Sequence, residues 1–153
     1  MNKTALYFGL WAAFCMALAV TGFFAIVDLG AEDAFRDSMF DGPNPGVRAI
    51  SFLLPFCIPA GIVAGLGWAL AHRGGREPGW VGYGLLALLI VAASHLLIFG
   101  TASVTAGEID IVELAYGLAF MFLLHGWITV PVALFGTAIF VLWDRQQRRG
   151  VAI

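Results

Sequence analysis

Charge is the scarcest chemistry in this sequence. Of 153 residues only 12% are Asp, Glu, Lys or Arg, against 61% hydrophobic. That balance excludes an ordinary soluble globule, in which about a quarter of residues are charged. Cysteine is nearly missing as well. Cys15 and Cys57 fall inside apolar stretches with no CxxC or Cys-His spacing, so they carry no redox or metal signal. No P-loop, nucleophile elbow, HExxH or dinucleotide fingerprint occurs anywhere. No catalytic residue is therefore assigned, and the balance of the sequence leans away from an enzyme.

What the sequence has in quantity is apolar length. A bilayer core about 30 Å thick needs roughly 20 apolar residues per helix, and four segments meet that requirement: about 4–27, 47–72, 80–100 and 111–143. The expectation is an all-α integral membrane four-helix bundle, one domain over 1–153, with linkers too short to fold alone. An N-terminal signal peptide is a competing reading, because Lys3 precedes the first segment and Ala17-Leu18-Ala19 has a small-x-small pattern. The apolar run continues to Val27, which favours a span.

The few charges are sorted by side. Lys3, Arg73, Arg76, Arg145, Arg148 and Arg149 flank one set of helix ends with only Glu77 and Asp144 for company. The other side holds Arg36 and Arg48 against Asp28, Glu32, Asp33, Asp37, Asp41, Glu108, Asp110 and Glu113. The positive-inside rule then places both termini in the cytoplasm, as for a bacterial inner membrane protein. The outer face is acidic, which attracts cations or a basic partner and argues against nucleic acid. DSMFDG offers Asp37, Asp41 and Gly42 to a calcium loop, but Met39 at the third position and Arg48 at the twelfth reject an EF-hand.

Within the first outer loop, AEDAFRDSMF spaces Ala31, Phe35 and Met39 four apart, which predicts a short interfacial helix ended by the turn DGPNPG. The second span carries Pro55 and Pro59, and the fourth Pro131. Each removes a backbone donor, so a bend facing the bundle is expected at the second span. Ala60, Gly61, Ala64 and Gly65 form a small-residue ridge for close helix packing. FLLPFCI at 52–58 and FLLHGWI at 122–128 share four of seven positions. They hint at a duplicated hairpin, although apolar helices resemble one another by composition alone.

Two histidines stand inside this hydrocarbon. With Trp80 and Trp143 taken as one interfacial level, His95 lies 15 residues along the third helix and His125 lies 18 along the fourth. At 1.5 Å per residue these are depths of about 22 and 27 Å. Apolar surroundings favour a neutral imidazole, with one nitrogen to donate and one to accept. Such a pair suits helix-to-helix hydrogen bonding, a proton relay through Tyr116 towards Glu113, or bis-histidine ligation of a b-type haem with Gly100 and Gly126 clearing room. Only Arg36 and Arg48 lie nearby to receive haem propionates. VGYG at 81–84 matches the letters of a potassium filter but has no pore helix before it, and it is rejected.

The leading expectation is a small non-catalytic subunit or assembly protein, packed in the bilayer against other membrane subunits or itself. Two other classes stand beside it. One is a haem- or quinone-handling redox protein centred on His95 and His125; the other is a small proton- or cation-coupled transporter.

Overall fold

Uncharged segments of this length satisfy their backbone in a bilayer by becoming α-helical, and that is how the chain folds. The computed structural model describes residues 3–30, 45–75, 77–106 and 111–150. They form α1 (Lys3–Gly30), α2 (Pro45–Ala71), α3 (Trp80–Ala106) and α4 (Ile111–Gly150). All four are long and apolar enough to cross a membrane, over 3–23, 53–71, 80–97 and 122–149, so the chain is a multi-pass membrane protein. The expected interfacial helix at 31–40 lies outside the described residues.

The helices outrun the apolar runs. Pro45 opens α2, where its missing N–H costs nothing. At the other end of the chain α4 continues past Trp143 to Gly150. Asp144 and Arg148 form an i,i+4 ion pair there, and Arg148 and Arg149 in the last turn complement the helix dipole. The α2–α3 turn closes through Gly74 and Gly75, whose φ of 99° and 75° only glycine adopts without strain.

The helices form a ring in which each packs on its chain neighbours and α1 also packs on α4. Diagonal helices meet through side chains. Trp68 of α2, for example, reaches Phe140 of α4 at 5.2 Å between ring centroids. The core is an aromatic knot towards the end bearing Lys3, Arg73 and Arg148, here called the basic end. Phe8 lies 4.6 Å from Trp68 and 5.0 Å from Phe140, with Tyr83, Leu86, Ile90 and Val141 around them. Outward, the surface is apolar: Leu123 is 80% exposed, Val81 79% and Phe135 71%. Lipid tails cover such a surface without penalty, whereas water would not.

The tightest crossing is α1 on α2. A Cβ at Gly9 would sit 2.6 Å from the Gly61 carbonyl oxygen, one at Gly61 3.1 Å from the Gly9 oxygen, and one at Gly65 3.2 Å from the Ala5 oxygen. Ala60 and Ala64 turn into the core beside them. That choice of buried face settles where the prolines go. Pro55 lies about 140° around the helix from Ala60 and is exposed, Pro59 is half-buried, and Pro131 of α4 is exposed. The helical assignment is unbroken through all three. Small residues occupy the inward face of α2, and Pro55 lies away from it.

Candidate functional site

The α3–α4 seam holds the polar residues that the α1–α2 seam lacks. Ser94 and His95 are buried on α3, and Thr129 and Thr137 on α4. Most of these groups satisfy themselves locally. Ser94 Oγ donates to the Ile90 carbonyl, and Thr129 Oγ1 to that of His125 at 3.1 Å. His95 Nδ1 donates to the Val91 carbonyl at 2.7 Å. A carbonyl can only accept, so this bond fixes the tautomer and leaves Nε2 as the acceptor of the neutral ring.

The two histidines predicted to share a depth do meet: their ring centroids are 6.5 Å apart and tilted by 41°. His95 is only 3% exposed, and His125 is half-buried. Their other walls are aromatic. Phe23 of α1 presents an edge to His125 at 4.1 Å, and Phe122 lies 5.5 Å from His95. Phe122 also fills the space beside Gly126, 3.3 Å from where a Cβ would stand. Among the described residues no three His, Cys, Asp or Glu side chains converge as metal ligands.

One turn towards the basic end from this pair, a cavity of about 30 Å³ occupies the bundle centre, bounded by all four helices. Val91, Thr129, Thr137 and Cys15 contribute to its wall. Trp11 ties α1 to α4 alongside it, its Nε1 donating to the Gly136 carbonyl at 2.8 Å.

Sequence reasoning passed over a second cluster, at the basic end itself. His72 Nδ1 donates to the Trp68 carbonyl at 2.9 Å, so its Nε2 accepts from the Tyr83 hydroxyl at 3.1 Å. The His72 ring stacks on Trp68 at 4.3 Å. Nearby, Glu77 accepts from Arg148 at 3.0 Å and lies 3.8 Å from Arg145, while Asp144 pairs with Arg148 at 2.8 Å. Arg145 also sits over the Trp80 ring at 5.1 Å. The only legible sign was the Asp144–Arg148 spacing; the rest needs the glycine turn to fold Glu77 and Tyr83 back.

The remaining expected site residues fall on positions whose side chains are not described. Asp28 and Glu113 belong to α1 and α4, with side chains outside the described set, as are the surroundings of Gly100 in α3. Glu32, Asp33, Asp37, Asp41, Glu108 and Asp110 lie outside the described residues. No protein-family model matches the chain, and no curated protein or solved structure is significantly similar to it.

Proposed function

We propose that the protein is a small integral subunit or assembly factor of a membrane complex, seated in a bacterial cytoplasmic membrane with both termini inside. The observation that carries this reading is an outward-facing aromatic cleft between α1 and α4. Tyr7, Trp11, Phe14, Phe140 and Trp143 are among the residues that line its roughly 750 Å³. It extends over about two helical turns, enough for one transmembrane helix to seat, and aromatic anchors in such a cleft are what protein interfaces use. The orientation rests on the basic residues gathered at one end of the bundle.

Native mass spectrometry from mild detergent tests the reading. The expected result is a discrete assembly heavier than the 16.4 kDa chain, lost when Phe14 and Trp143 are replaced by Ala. A monomer carrying only lipid, or an assembly indifferent to both substitutions, would contradict it. The 6.5 Å separation of His95 and His125 supports a second reading, a site for haem b or a quinone. Absorption of the same sample separates the two, since a bound haem shows at once.

A further inference from the structure

Charge at the basic end is unevenly matched. Near α4, Arg145 and Arg148 are met by Glu77 and Asp144. At the ends of α1 and α2, Lys3 and Arg73 are exposed, and among the described residues neither pairs with an acid. Arg149 is unpaired too, but it belongs to the last turn of α4.

The two unmatched cations stand over the mouth of a groove. Where Gly9, Gly61 and Gly65 bring α1 and α2 into backbone contact, a channel of about 460 Å³ is left on the outward face, with Leu6, Leu10, Ile58 and Ile62 in its walls. No residue lining it carries a charge or a side-chain nitrogen or oxygen. Between Leu54 and Leu66 it runs for about 18 Å at 1.5 Å per residue, over half of a hydrocarbon core about 30 Å thick. Lys3 precedes Leu10 by two helical turns on the same face, and Arg73 follows Leu66 by two turns. The His72 and Arg73 amides, bonded to the Trp68 and Leu70 carbonyls, carry the winding of α2 that far. Because Ala5 opposes Gly65 and Gly9 opposes Gly61, Arg73 stands about one turn further out than Lys3. Two long side chains can close that gap onto one phosphate.

We propose that this groove binds one anionic phospholipid, with an acyl chain along the glycine floor and the phosphate held by Lys3 and Arg73. Leu10 divides it from the α1–α4 cleft, so the proposal stands apart from the subunit reading. Charge complementarity selects this occupant. A zwitterionic headgroup brings a cation back against the two basic side chains, and an anionic one does not. A partner helix fits less well, because the positive-inside rule puts its own basic end on the same side, against Lys3 and Arg73. A second copy aligned the same way repeats that clash.

The test is native mass spectrometry of the full-length protein in mild detergent, titrated with phosphatidylglycerol or with phosphatidylcholine of the same acyl chains. One phosphatidylglycerol per chain is expected, held about 25-fold more tightly, since each cation near an anionic headgroup contributes about fivefold. Lys3→Gln combined with Arg73→Gln should remove the preference, whereas Arg149→Gln should keep it. Ile62 is 56% exposed on the groove wall, so Ile62→Trp fills the groove from outside. It should abolish the tight binding and leave the melting midpoint unchanged. Equal binding of the two lipids, a preference that survives without Lys3 and Arg73, its loss in Arg149→Gln, or native binding in Ile62→Trp would each overturn the proposal. So would a dimer or a bound polypeptide, released by Ile62→Trp, in place of lipid.

Discussion

Along α1–α2 the chain sets Ala5 and Gly9 against Gly61 and Gly65 until backbone touches backbone, whereas α3 and α4 meet through His95 and His125, with Ser94 next to the first and Thr129 one turn from the second. Lipid tails remove the hydrophobic drive for helices to associate, so each seam has to find another source of cohesion. The first uses contact distance. Its carbonyl oxygens lie so near the opposing glycines that a Cβ at Gly9 would collide and one at Gly61 or Gly65 would be tight. The second uses polar side chains, several of which already bond to their own helix and so contribute little adhesion. Polarity in excess of what adhesion needs is why the function-bearing residues are sought at α3–α4.

Substitutions can break this contrast, beginning with the severest. Gly9→Leu places carbon 2.6 Å from a backbone oxygen that cannot swing aside, and overpacking of this kind should cost about 3 kcal/mol. A detergent melt with an unchanged midpoint would refute the crossing. Gly65→Leu meets the Ala5 oxygen at 3.2 Å and should cost somewhat less, about 2 kcal/mol. Asp144→Ala removes an acid whose side chain is 11% exposed while Arg148 keeps Glu77, so the loss should be about 1 kcal/mol. Glu77→Gln weakens an exposed clamp on the α2–α3 turn, worth about 0.5 kcal/mol and fading in high salt. Smallest of all, Thr129→Val on the polar seam should stay within about 0.5 kcal/mol, because only a local hydroxyl-to-carbonyl bond goes. A loss there as large as at Gly9 would erase the distinction between the seams.

How much of this was legible in the sequence depends on the distance over which the signal acts. The four spans follow from apolar length, and the Trp80 and Trp143 levels placed the two histidines at comparable depths from rise per residue alone. Helix ends were harder. Hydropathy stops at Trp143, but Asp144 to Arg149 contains good helix formers and an i,i+4 ion pair, so α4 runs on to Gly150. Gly61 and Gly65 announced a close approach without naming its partner. The matching stripe on α1, Ala5, Gly9 and Ala13 at four-residue spacing, was present in the sequence but was not singled out. Pro55 was expected towards the bundle because freed carbonyls need cover, and Ala60 and Ala64 took that face instead. The His72–Tyr83 pair was invisible because it exists only once Gly74 and Gly75 have reversed the chain.

The contrast between the seams depends most on the two imidazoles lying near one another between α3 and α4. A ring-to-ring contact measured by solid-state NMR in bilayers, with labelled His95 and His125, tests it directly. A cross-signal consistent with centroids 6.5 Å apart is predicted, and it should vanish in His125→Gln. Rings too far apart to give any cross-signal would contradict the α3–α4 seam.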